Sequence, residues 1–115
     1  MKRGDVILCS FPHSGSSPGK KRPALVIQSD HYNRRIVNLL VAGITGNLSN
    51  ANDPAHYLVD ISTPEGQQSG LHRDSLVSCI NLAVLAPRNV STKIGELPDD
   101  AMEKIGACLK VAMGI

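Results

Sequence analysis

Three consecutive cations, Lys20-Lys21-Arg22, close a Gly- and Ser-rich loop and lead into the β-rich run Pro23-Ala24-Leu25-Val26-Ile27-Gln28. Such a cluster attracts phosphates, and an Arg held at a strand start can grip one through its planar fork of N–H donors. Taken alone, the same cluster is also a solvated charge run. Thr45 ends the strongly apolar run Ile36 to Thr45, directly before Gly46-Asn47. That position sets its hydroxyl at a sheet edge facing a loop, although a β-branched residue there can simply bond its own turn. His72-Arg73-Asp74-Ser75 is a second polar cluster at the start of a strand, otherwise read as a turn with a weak local Arg–Asp pair.

Other chemistries lack their signatures. Gly15-Ser16-Ser17-Pro18-Gly19-Lys20 has three residues between its glycines and Lys21 after its Lys, so it is not a phosphate-binding P-loop. His13, His31, His56 and His72 share no metal-ligand spacing with one another or with Cys9, Cys79 and Cys108, and each alone reads as a surface histidine. The three cysteines read as small apolar fillers rather than as disulfide partners. No Gly-x-Ser-x-Gly elbow is present. No metal or other cofactor is expected.

The elements that must hold these residues follow from the hydrophobic pattern. In 115 residues, 42% hydrophobic and 19% charged with a formal net charge of +2, one globular domain spanning 1–115 is expected. The aromatics are few, Phe11, Tyr32 and Tyr57 without Trp, which argues against an aromatic stacking platform. No apolar run reaches membrane-span length and no secretory signal is evident, so the expected location is the cytoplasm, with no membrane partner. Strands are predicted over 5–11, 23–28, 36–45, 57–61, 75–79, 82–85 and 93–97, with a single helical turn over 29–34. Loops are predicted over 13–19, 46–54 and 63–70. Met102, Ile105, Leu109 and Ala112 or Met113 recur at helical spacing, with Asp100 as cap, Glu103 three residues on, and Gly114 as the stop. Strands followed by one helix make an α+β fold, a small closed or half-closed barrel with its helix on one side.

The order of these pieces strongly resembles the MazF/PemK toxins of type II toxin–antitoxin systems. The resemblance rests on Lys2-Arg3-Gly4-Asp5-Val6, the run from Gly19 to Asp30, Asn33-Arg34, and Ala42-Gly43-Ile44-Thr45. It continues through Gly70-Leu71-His72-Arg73-Asp74-Ser75 and Lys93-Ile94-Gly95-Glu96-Leu97 before the helix, and so covers nearly the whole chain. It implies a small SH3-like antiparallel β-barrel of the CcdB/PemK type with a C-terminal α-helix, a homodimer, and a cognate antitoxin as partner. It also implies metal-independent, sequence-specific cleavage of single-stranded RNA through attack of the ribose 2′-hydroxyl on the adjacent phosphate. Arg22 matches the family's catalytic Arg and Thr45 its active-site Thr. Contacts to RNA are expected from Lys20, Lys21, His13, Ser16, Asn47 and Arg73.

The chain departs from the family along one stretch. Where relatives carry an acidic residue and then Gln-x-Arg-Thr, it has Ile80, Asn81 and Ala83. A loop His and a further strand Arg used by some members fall near Ser16 and Ser78. These departures motivate a second reading, a non-catalytic binder of antitoxin or RNA, or a gyrase poison like the CcdB toxins.

Overall fold

The β-rich runs form one antiparallel sheet in the computed structural model, which describes residues 1–12 and 20–115. Its strands are β1 (Asp5–Cys9), β2 (Arg22–Val26), β3 (Leu39–Thr45), β4 (His56–Val59), β5 (Ser75–Leu85) and β6 (Val90–Glu96), arranged β4-β5-β3-β2-β1-β6. Successive residues on a strand face opposite sides. Val6, Leu25 and Ala42 accordingly enter one apolar cluster while Ile7, Ala24 and Val41 enter another. Burial on both faces explains why β1 to β3 read as nearly continuous apolar runs.

Among the described residues, three α-helices, α1 (Asp30–Asn33), α2 (Pro64–Gln68) and α3 (Asp99–Met113), and a short 3-10 turn over Pro87–Asn89 complete the α+β fold. The long α3 lays Met102, Ile105 and Cys108 into the first cluster and ends at Gly114, in the left-handed conformation expected of a helix stop. Its start differs from the expected cap. The helix begins at Asp99, the extended Pro98 is the N-cap residue, and the Pro98 carbonyl accepts the Met102 N–H at 3.0 Å. Asp100 is thus already inside the first turn, where its Oδ1 accepts the adjacent Ala101 N–H at 3.0 Å.

Two further expectations are corrected. The stretch 63–70 is not all loop, because Thr63 Oγ1 accepts the Gly66 N–H at 3.0 Å and Pro64 occupies the first turn of α2. The predicted strands 75–79 and 82–85 are one strand. Its pairing with β3 jumps from Ala42↔Leu82 to Gly43↔Ser78, so 79–81 form a bulge.

The sheet is not a fully hydrogen-bonded barrel: among the described residues its end strands β4 and β6 share no ladder. The gap is narrowed by backbone contact. A Cβ on Gly70 would stand 2.0 Å from the Ile94 carbonyl oxygen, and one on Gly95 would stand 2.3 Å from the Ser69 backbone. Only glycine lets these two segments approach so closely, and Gly70 also has φ +75°.

Candidate nucleic-acid interface

Arg22 opens β2 and Thr45 closes β3. The two strands pair antiparallel from Val26↔Val41 to Ala24↔Gly43, and Arg22 and Thr45 each lie two residues beyond that last pair, at the same end of the ladder. Arg22 is half-buried, and its carbonyl accepts the Cys9 thiol at 3.5 Å, which ties it to β1. Thr45 is exposed, and its Oγ1 accepts the Asn47 N–H at 3.1 Å. A hydroxyl has one hydrogen, and this bond uses only a lone pair, so the Thr45 O–H stays available to a ligand.

Arg22 and Thr45 stand where two cavities meet. The first, about 360 Å³, is also lined by Phe11, Gly43, His56, Ser78, Ile80 and Asn81. The second, about 640 Å³, brings in His72, Arg73 and Gly46, with Asn47 shared between the two. Arg73 reaches this place because Gly46 has no side chain: a Cβ there would stand 2.3 Å from Arg73 Nε. The expected Arg73–Asp74 pair does not form among the described ion pairs. Instead, Asp74 Oδ1 accepts the Ile61 N–H at 3.0 Å.

Among the described residues, both cavities are lined by guanidinium, hydroxyl, amide and imidazole groups and by no carboxylate. Such a lining attracts an anion. No group of three or more His, Cys, Asp or Glu among those residues is placed to hold a metal ion.

Arg22, Thr45, Asn47 and Arg73 are therefore brought together. Asn47 is braced by its own loop, its Oδ1 accepting from the Ser49 N–H at 3.0 Å and from the Ser49 hydroxyl. Lys20 and Lys21 are exposed and line neither cavity. The Lys21 ammonium donates to Ser10 Oγ at 3.2 Å, just beyond the end of β1. His13 and Ser16 lie outside the described residues.

The pattern of the sequence missed His56. Read as a surface residue, it is buried, with Nδ1 2.6 Å from Asp53 Oδ2 and Nε2 3.1 Å from Ser78 Oγ. The only local signal was Asp53 three residues ahead in a Pro-containing turn. Of the departures from the family pattern, Ile80 and Asn81 line the first cavity, whereas Ala83 is buried in the second apolar cluster. The altered positions thus change one wall, while Arg22 and Thr45 still line both cavities.

Comparison with known proteins agrees with this arrangement. Residues 2–113 match the family described as PemK-like, MazF-like toxin of type II toxin–antitoxin system. The chain is 32% identical over 116 residues to the endoribonuclease EndoA of Bacillus subtilis (strain 168), covering all of this chain and 96% of that one. The Mycobacterium tuberculosis toxin MazF-mt6 superimposes with a TM-score of 0.77 at 20% identity, over 96% of this chain and 97% of the other. A mycobacterial endoribonuclease in complex with its cognate antitoxin gives 0.74 at 19% identity, over 100% and 96%. At these identities the two structural likenesses establish the fold alone.

Proposed function

Because the chain belongs to the PemK-like, MazF-like toxin family of type II toxin–antitoxin systems, we propose that it is a metal-independent, sequence-specific endoribonuclease acting on single-stranded RNA in the cytoplasm. It works as a homodimer and is held inactive by a cognate antitoxin. The observation that carries this reading is that Arg22 and Thr45 line the same two cavities, neither of which has a carboxylate among its described lining residues.

In the reaction, the ribose 2′-oxygen bonds to the adjacent phosphorus as the bond from phosphorus to the 5′-oxygen breaks. The 2′-hydroxyl loses its proton and the leaving 5′-oxygen gains one, giving a 2′,3′-cyclic phosphate and a 5′-hydroxyl. Charge builds on the phosphoryl oxygens between these events, so donors fixed in advance lower the barrier. Arg22 supplies a permanent cation with parallel N–H donors. Thr45 supplies a neutral O–H to the second oxygen. Arg73 adds a second guanidinium that steers the backbone of the strand into the second cavity.

The test is incubation of purified, antitoxin-free protein with a long single-stranded RNA in excess EDTA, followed by mapping of the ends. Discrete cuts that vanish in Arg22→Ala are expected. Folded protein that leaves varied RNAs intact overturns the proposal and favours the binding protein.

A further inference from the structure

Behind one wall of the first cavity runs a chain of three side chains that the cleavage chemistry does not use. Asp53 Oδ2 meets His56 Nδ1 at 2.6 Å, and His56 Nε2 meets Ser78 Oγ at 3.1 Å. The His56 side chain is only 4% exposed, and the Cys108 thiol of α3 donates to its backbone carbonyl at 3.7 Å. The imidazole is therefore held at both ring nitrogens, and the His56 backbone is tied to α3.

This chain fixes a polarity. A carboxylate only accepts, so Nδ1 carries the hydrogen, and in the neutral ring Nε2 is then an acceptor. With the ring neutral, Ser78 then spends its single O–H on Nε2. What it offers the cavity is lone pairs: Ser78 is set as an acceptor.

Away from Arg22, the cavity also suits a neutral, flat group. Its floor exists because position 43 is glycine, where a Cβ would stand 2.8 Å from Asn81 Nδ2 and 3.3 Å from Phe11 Cζ. One phenyl ring, three amides, the hydroxyls of Thr45 and Ser78 and the His56 imidazole line it, with Arg22 its one guanidinium among the described residues. Ser78 pairs with Gly43 while Thr45 pairs with Leu76, so Ser78 and Thr45 are diagonal neighbours, roughly 7–8 Å apart. That is one step along from the phosphate grip, where a neighbouring base would hang rather than the phosphate itself.

Resting on the nuclease reading above, we infer that this cavity receives a base beside the scissile phosphate, and that Ser78, oriented by Asp53 and His56, selects a base bearing an exocyclic amine. Adenine, cytosine and guanine present such a donor. Uracil offers only an N3–H flanked by two carbonyl oxygens, which the Ser78 lone pairs repel. Ser78 touches the base, and His56 is a positioning residue.

The test uses the purified chain and short RNAs built on its mapped cut site. Each base flanking the cut is replaced in turn by its analogue lacking the amine: purine riboside for adenosine, inosine for guanosine, 2-pyrimidinone riboside for cytidine. At one position, loss of the amine should lower kcat/KM about 10-fold or more in the wild type. Ser78→Ala should slow the natural RNA by a similar factor and show little further response to the analogue. Ser78→Cys, of nearly equal volume but with a poor acceptor, should do the same, and thermal melts confirm that both fold. His56→Gln should lose the discrimination while still cutting. A wild type that cuts but ignores the amine at every flanking position overturns the inference and leaves the nuclease reading standing, as does a Ser78→Ala protein with full amine sensitivity. A wild type that cuts no RNA overturns both.

Discussion

Thr45 Oγ1 accepts the backbone N–H of Asn47 at 3.1 Å, so the turn that follows β3 fixes the hydroxyl without consuming its hydrogen. The expectation that Thr45 bonds its own turn and the expectation that it serves a phosphate are therefore compatible: the turn takes the lone pair and the ligand takes the proton. Thr45→Val keeps the shape and the β-branch but removes the donor, and should slow cleavage by about 10²-fold or more. Thr45→Ser should retain most of the rate. Because the freed Asn47 N–H is exposed and can bond water, the melting temperature of both should stay near that of the wild type. Single-turnover cleavage beside a thermal melt checks the pair of statements.

Arg73 leans into space that any side chain at position 46 would occupy. Gly46→Val should displace the guanidinium, and since its far end is flexible the fold should survive. The expected phenotype matches Arg73→Ala: weaker RNA binding across all sequences, with the slope of log K against log salt reduced by about 0.7, the loss of one phosphate contact on a single strand. Binding titrations at several salt concentrations, made on an Arg22→Ala background to prevent cleavage, measure it. An unchanged slope would remove Arg73 from the phosphate contacts.

Arg22 and Thr45 were legible in the sequence because each is a polar residue at the boundary between an apolar run and a loop, and such boundaries are where sheet edges meet ligands. Arg73 was legible only as a polar cluster, since its approach depends on the missing side chain of Gly46, a contact 27 residues away. His56 left only the weak signal of Asp53 three residues ahead, and its burial could not be read. Its burial requires β4 to pair with β5 in the register His56↔Ser78, and nothing local to either residue encodes that pairing. The bulge at 79–81 escaped for a related reason: it breaks the period-two pattern from which strands are inferred, so one strand looked like two. Helix α2 was hidden by Pro64 and Gly66, which read as loop residues although Pro64 starts the helix and Gly66 fits closely over the Asp60 carbonyl.

The glycine contact that narrows the sheet's open side should be intolerant of change. Gly70→Ala would meet the Ile94 carbonyl oxygen at 2.0 Å, on rigid backbone, at a φ that L side chains rarely adopt. A loss of about 2 kcal/mol or more is expected. Gly114→Ala provides the control: its φ is also positive, at +71°, but nothing lies within 4 Å of the added Cβ. Strain alone then acts, at about 1 kcal/mol. Urea unfolding of the two variants separates the clash from the backbone term, and equal losses would show that the Ile94 contact contributes nothing.

The buried thiols give the protein an alkaline limit. Burial pushes Cys9 from its ordinary 9.0 up to about 11, against a small opposing pull from Lys21, and pushes Cys79 to about 12, chiefly by the same desolvation. Two consequences follow. At neutral pH the thiolate fraction is negligible and both sulfurs are buried, so a thiol reagent should label neither until the chain unfolds. As pH rises past about 9 the unfolded chain releases thiol protons that the folded chain still holds. The folded state then binds more protons, and the linkage relation makes stability fall with pH until the folded-state values near 11 and 12 are passed. Urea midpoints measured from pH 7 to 11 should decline across the upper part of this range, and Cys9→Ser combined with Cys79→Ala should flatten the decline. A midpoint that stays level through pH 11 in the wild type would contradict the raised thiols.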